Sequence, residues 1–243
     1  MTTATTLNPQ EVEKFSRIAA EWWNPEGAFK PLHRFNPIRI AYIREKVCAH
    51  FGLDATQGKP FTGLSLLDIG CGGGLLCEPM TRLGASVTGI DASDKNIAVA
   101  SLHASESGLD ITYKATTAES LAETDQRFDI VLSMEVVEHV DDLPLFIKSA
   151  TALLKPNGIL FCATLNRTAK SFAFAIVGAE YVLRWLPIGT HDWKKFVKPS
   201  ELGELIMANN RRVQALDGMT FNPLRQTWAQ TNDVSVNYIV VAV

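Results

Sequence analysis

Cysteine is scarce. Four residues, Cys48, Cys71, Cys77 and Cys162, are scattered through 243 positions with no Cys-x-x-Cys pair and no zinc-type spacing, which excludes a disulfide framework and a structural zinc site and predicts buried thiols in a reducing compartment. Long apolar runs are also missing. The stretch from Phe172 to Ala179 is only eight residues before Glu180 interrupts it, whereas a bilayer-spanning helix needs about 20. The opening MTTATTLNPQ has neither a basic segment followed by an apolar one nor an arginine-rich amphipathic pattern, so neither a secretory leader nor an import peptide is expected there. No surplus of positive charge exists either: the formal net charge is −3, which gives no general attraction to nucleic acid. No internal repeat or low-complexity tract is apparent. What remains is the profile of one soluble α/β domain long enough to bury a substantial core.

The charge that is present is unevenly placed. Arg167, Lys170, Arg184, Lys194, Lys195 and Lys198 face only Glu180 and Asp192 over positions 164–198, an asymmetry that marks either a surface with its own electrostatic role or a solvated helix and loop.

Two helices are expected first. Asn8-Pro9 opens one, with Val12, Phe15, Ala19 and Trp22 at helical spacing, and Asn36-Pro37 opens another, with Ile40, Ile43, Val47 and Phe51. The connection "WWNPEGAFKPLHRFNP" is too aromatic for a plain linker and reads as a lid or packed loop. From Ser65 strands and helices alternate. Strands are predicted at Ser65–Ile69, Ser86–Asp91, Ile111–Lys114, Phe128–Met134 and Gly158–Ala163, with helices over Leu75–Leu83, Asp94–Ser107 and Asp142–Leu154. Pro199-Ser200 starts a further helix, and Arg212–Met219 and Ser235–Val243 follow as an antiparallel pair at the sheet edge. The expected fold is a doubly wound, mostly parallel, seven-stranded α/β sheet with N-terminal helices (1–64), a ligand-binding core (65–163), an inserted helical segment (164–198) and a closing helix and strand pair (199–243), all in one domain. In such sheets the ligand sits at the carboxyl ends of the first strands.

Glycine is where the sequence is rich. "LLDIGCGGGLLCEP" places Gly70, Gly72, Gly73 and Gly74 within five residues, between a strand and a helix. The pattern Gly70-x-Gly72-x-Gly74 is not the Gly-x-Gly-x-x-Gly of dinucleotide folds, and no Gly-Lys-Ser/Thr follows to pair a triphosphate. Asp91, ending the second strand in "VTGID", can accept from both hydroxyls of a ribose. The loop "TTAESL" follows the third strand, where backbone groups beside Ala118 and Glu119 could read an adenine. After the fourth strand, "SMEVVEHVDD" puts Glu135, Glu138 and His139 at i, i+3 and i+4, on one face if the segment is helical. That trio could hold a divalent cation or tune His139 as a general base, and acidic residues there would equally complement a helix dipole.

Together "LDIGCGGG", "GIDAS" and "FDIVLSMEVVEHV" resemble class I S-adenosylmethionine-dependent methyltransferases. Three further stretches are similar to the ubiquinone-biosynthesis O-methyltransferase family: "EWWNPEGAFKPLHRFNPIRIAYI", "TLNRTAKSFAFAIVGAEYVLRWLPIGTHDWKKFVKPSEL" and "GMTFNPLRQTWAQTNDVSVNYIV". The resemblance implies a nucleoside cofactor with a methionine tail and no phosphate. It implies methylation of catechol-type hydroxyls on polyprenylated rings, 2-polyprenyl-6-hydroxyphenol and 3-demethylubiquinol. Carried over, the cofactor positions fall on Arg39 (for the methionine carboxylate), Gly70, Asp91 and Met134, beside Gly72, Ala118 and Glu119 from the reading above. Eukaryotic members suggest Mg2+ at Glu135, Glu138 and His139, although magnesium prefers oxygen ligands. A substrate dissolved in lipid further implies an enzyme that is cytoplasmic and peripheral to the bacterial inner membrane, with 168–198 lying on an anionic surface and other ubiquinone-biosynthesis proteins as partners. An oxidoreductase is disfavoured by the glycine spacing, a non-catalytic scaffold by the retained polar residues; a methyltransferase of another small hydrophobic aromatic or lipid is the nearer alternative.

Overall fold

A computed structural model describes residues 5–173, 192–222 and 227–243. Asn8 accepts from the backbone of Gln10 and Glu11 and so caps α1 (Pro9–Arg17). The apolar stripe that begins in α1 continues through a separate 3-10 turn (Ala19–Glu21) to Trp22. α2 (Lys30–Phe51) starts earlier than Asn36-Pro37 predicts: Pro31 occupies its first turn and Pro37 lies inside it. Burial of Phe35, Tyr42, Ile43 and Val47 along one face carries the helix through Pro37, whose interior position costs ~3 kcal/mol.

The alternating half follows: β1 (Ser65–Ile69), α3 (Cys77–Arg82), β2 (Ser86–Asp91), α4 (Asp94–Glu106), β3 (Thr112–Ala115), α5 (Ala118–Ala122), β4 (Phe128–Met134), α6 (Leu143–Ala152) and β5 (Leu154–Leu165). Ser93, Thr117 and Asp142 cap α4, α5 and α6 with their side chains. Then come a single turn α7 (Ala169–Ser171), α8 (Pro199–Ala208), β6 (Val213–Asn222), β7 (Thr227–Thr231) and β8 (Asn237–Ala242).

The sheet has eight strands in the order β3-β2-β1-β4-β5-β8-β6-β7, one more than expected. The first five are parallel, and β8, β6 and β7 add antiparallel. The extra strand, β7, reads TWAQT and has no fully buried position, so the apolar alternation that reveals a half-buried strand is missing from it. Elsewhere the period of two is clear. Leu66, Leu132, Phe161 and Val241 pack on one face beneath α2 and α3, while Leu67, Val131, Leu160 and Val240 pack on the other with Ile147 of α6 and Ile206 of α8. A third cluster, Ala19, Trp22, Phe29 and Leu75, lies over the turn after β1. Strand order reverses between β1 and β4, and this opens a crevice at their carboxyl ends.

The apolar run beginning at Phe172 belongs mainly to residues 174–191, outside the described residues, together with Tyr181, Arg184 and Trp185. No described helix is long and apolar enough to cross a membrane.

Candidate functional site

One cavity of about 1090 Å3 opens at that crevice, above the roughly 300–1,000 Å3 of a pocket shaped for one small ligand. Its floor is made by strand ends: Gly70 and Gly72 after β1, Asp91 ending β2, Met134 ending β4, then Glu135 and His139. Its roof is made by α1, the loop after it, α2 and the β6–β7 pair.

What presses on the glycine turn is a side chain of the protein itself. A Cβ on Gly72, whose φ is +54°, would lie 2.3 Å from Trp22, and one on Gly73 2.4 Å from it. Trp22 stacks on Phe29 at 3.6 Å and donates its indole N–H to Asn96 Oδ1 at 2.9 Å. Asn96 in turn donates to Asp91 Oδ1 at 3.2 Å. The same carboxylate accepts from Ser93 N at 2.8 Å and from Gly72 N at 3.0 Å. Asp91 therefore ties the glycine turn to α4 and, through Asn96, to Trp22. Three bonds leave a carboxylate of about four lone-pair sites one acceptor for a ligand hydroxyl. Burial raises the Asp91 carboxyl from its ordinary value, against the pull of those bonds. Behind it, burial pushes Asp68 up to about 7, and Cys77 Sγ donates to it at 3.3 Å. All four cysteines are buried and unpaired.

Arg39 reaches into the cavity from α2. Its side chain is buried, pairs with Glu135 and lies 3.9 Å over the Phe35 ring. Its Nε, fully buried, has no hydrogen-bond acceptor, so an anionic oxygen is the partner this donor lacks. Glu135 itself has φ +59°, an uncommon conformation for a non-glycine residue.

The helical face expected of Glu135, Glu138 and His139 does not form. Only Val137–His139 is helical, as one 3-10 turn, with Glu135 outside it. Glu135 pairs with Arg39 while staying beside Glu138, whose Oε2 accepts from Thr164 at 2.8 Å. His139 Nδ1 meets Glu11 Oε2 at 3.0 Å. Burial and the charge of Glu135 hold the Glu138 carboxyl well above the usual range. Among the described residues no group of three such side chains could hold a metal ion.

His139 is better placed as a base. Phe15 sets its edge against the ring at 5.2 Å and 81°, and Glu11 fixes the Nδ1 side, leaving Nε2 as the second ring nitrogen. The hydrogen bond with His139, over an opposing cost of burial, lowers Glu11 to about 2. Ala118 and Glu119 lie off the cavity. Glu119 Oε1 accepts from Thr6 N at 3.1 Å, so the segment before α1 stands between that loop and the crevice. Arg39, Gly70, Gly72, Asp91, Met134, Glu135 and His139 thus share one cavity, whereas Ala118, Glu119 and Glu138 do not line it. Glu11, Trp22 and Asn96 are missed by sequence reasoning. The aromatic pair in "EWWNPEG" is the only signal for Trp22, while Glu11 reads simply as a dipole partner three residues after a cap.

The chain matches the methyltransferase domain family over residues 67–162. A ubiquinone biosynthesis O-methyltransferase of Bartonella bacilliformis is 58% identical over 98% of this chain and 96% of its own. One of Pelagibacter ubique is 59% identical over 96% of each. The chain belongs to this family. It is a class I methyltransferase by fold and an O-methyltransferase by membership. Among solved structures, the magnesium protoporphyrin IX methyltransferase of Synechocystis PCC 6803 with bound SAM shares the fold at a TM-score of 0.64 and 15% identity, over 99% of each chain. The plantazolicin methyltransferase gives 0.59 and 14% over 97% and 98%. The domain match covers the O-methyltransferase's floor, and the roof lies outside it.

Proposed function

We propose that the cavity binds S-adenosylmethionine on its floor and methylates a catechol-type hydroxyl of a polyprenylated ubiquinone precursor beneath its roof. The residues fit such a cofactor: Asp91 keeps an acceptor for a ribose hydroxyl, and Arg39 has an unmet donor for a methionine carboxylate. Met134 lines the same cavity and can pack against the adenosine or the methionine portion. When bound, the cofactor supplies an electrophilic methyl group on a sulfonium. His139 takes the proton of the hydroxyl through Nε2, and Glu11 holds the ring and stabilises its cationic form. With the cofactor bound, that oxygen would take the methyl carbon while the sulfur keeps the bonding pair, and His139 would pass its proton to solvent. The side chains' role is alignment as well as proton removal. No step runs through a divalent cation, because the side chains offered for one face Arg39, Thr164 and Glu11 instead.

The Glu11–His139 pair, in the same cavity as Asp91 and Arg39, carries this reading. Purified protein with methyl-labelled S-adenosylmethionine and a panel of catechols, phenols and carboxylic acids tests it, with and without chelator. Label on catechol oxygen is expected in both conditions. Transfer to another small aromatic and not to catechols favours the alternative substrate class; loss of activity on chelation restores the cation.

Delivery of the substrate is the second part of the proposal. The segment over 168–198 meets anionic lipid, its supports being exposed Phe172, Trp193 beside it, and Lys194, Lys195 and Lys198. Flotation with anionic liposomes at low salt is expected, and a folded protein that stays behind excludes it.

A further inference from the structure

The roof has an aromatic series that the proposed chemistry leaves unused. Starting at Arg39, whose guanidinium pairs with Glu135, the Phe35 ring lies 3.9 Å below the cation. Trp228 of β7 follows, its ring centre 4.2 Å from Phe35 at 30°. Phe221 of β6 comes next, 5.4 Å from Trp228 at 51°. Phe221 and Trp228 are direct cross-strand partners, so their side chains share a face of the β6–β7 pair. Met219, two residues before Phe221 and buried, lies on that face as well. All of these residues line the cavity.

We infer that this wall, Phe35–Trp228–Phe221 with Met219, is the subsite for the isoprenoid tail of the substrate and sets the preference for tailed over tailless rings. The inference rests on the proposed function for the identity of the tail. Past Arg39 these four side chains offer no charge and no carboxylate. The Trp228 indole nitrogen is the one polar atom among the four, so a hydrocarbon chain suits the wall better than the two hydroxyls of a catechol, which would find a single donor and no acceptor there. The order along the wall gives the orientation: the reacting ring stays at the Arg39, Glu135 and Met134 end, and the tail runs outward to the edge strand. β7 is the last strand of the sheet, so the wall ends where a long tail can leave the protein.

The test compares catechol with geranylcatechol in wild type, Trp228→Ala, Phe221→Ala and Trp228→Phe. For each protein it reads the ratio of kcat/KM for the tailed over the tailless substrate, and it also reads equilibrium binding of geranylcatechol to protein loaded with S-adenosylhomocysteine. Wild type should prefer the tailed ring. Trp228→Ala should lower the ratio at least about tenfold, in the range of truncating an anchoring aromatic, and Trp228→Phe should recover most of it. Equal ratios in wild type and both alanine variants overturn the inference, as does a wild type with no preference for the tail, which needs no variant to fold. If wild type binds geranylcatechol through Trp228 but methylates no catechol, the wall stands and the proposed reaction fails.

Discussion

The floor and the roof of the cavity were built by different kinds of sequence. The floor comes from strand ends inside the matched domain, 67–162: a glycine turn, an aspartate and the end of β4. Its positions follow from the topology of a doubly wound sheet, which many methyltransferases of unlike substrates share. The roof comes from Glu11, Trp22, Phe35 and Arg39 before the domain and Phe221 and Trp228 after it. The difference is one of origin: the matched domain supplies the strand ends that carry Asp91 and His139, and the added helices and strands supply Glu11, Arg39 and the aromatic cover. The two halves also depend on each other, since Trp22 of the roof fills the space that Gly72 and Gly73 leave open.

The largest effect should come from breaking that dependence. Gly72→Val puts a branched side chain at φ +54° and into Trp22. It should lower the unfolding free energy in urea by about 3 kcal/mol or more and abolish binding of S-adenosylhomocysteine. In a Trp22→Ala background the overlap disappears while the backbone strain stays, so part of the loss should return. Coupling of the two changes by more than ~1 kcal/mol in a double-mutant cycle supports the account, and strict additivity separates floor from roof.

Asp91→Ala sharpens the comparison from the floor. It removes the acceptor of three protein bonds as well as any to ribose, and should cost on the order of 2–4 kcal/mol in S-adenosylhomocysteine affinity by calorimetry. An unchanged affinity rejects the ribose assignment. Glu11→Gln tests the roof and should reduce turnover about tenfold with cofactor affinity little changed. The same pair predicts a pH effect. The Glu11 carboxyl is lowered from 4.5 to about 2, so its contribution to stability is full above 4.5 and is lost as pH falls through about 2. Urea midpoints in acid should show this in wild type and not in Glu11→Gln.

A second pH effect lies beneath the floor and has the opposite sign. Asp68 is raised from 3.8 to about 7, so its contribution is present below 3.8 and is lost as pH rises through about 7. Asp68→Asn should flatten the decline of the urea midpoint across that range.

The floor was legible and the roof largely was not, for physical reasons. β1, β2 and β4 begin and end where expected because their apolar runs are short and bounded by glycine or acidic residues. Gly70 and Asp91 follow from the strand ends, and Met134, like Arg39, from family resemblance. Arg39 came only through family resemblance, since nothing in helical spacing distinguishes a buried arginine from a surface one. α2 was read too short because Asn36-Pro37 has the chemistry of a helix start, yet its tertiary packing overrides that signal. β7 escaped because it has one large apolar residue, Trp228, and no fully buried position. The Glu135, Glu138 and His139 trio looked convergent only under an α-helical geometry that the backbone at Glu135 does not adopt. Glu11 meets His139 across 128 positions of sequence, a pairing that no local pattern encodes.

The most direct test of the account is single-turnover methyl transfer to a catechol by protein saturated with S-adenosylmethionine, wild type against His139→Ala, with S-adenosylhomocysteine affinity measured on both. The account predicts a rate lower by about 100-fold or more, as loss of a general base requires, with affinity nearly unchanged. A variant that binds the cofactor and transfers methyl at the wild-type rate would contradict it.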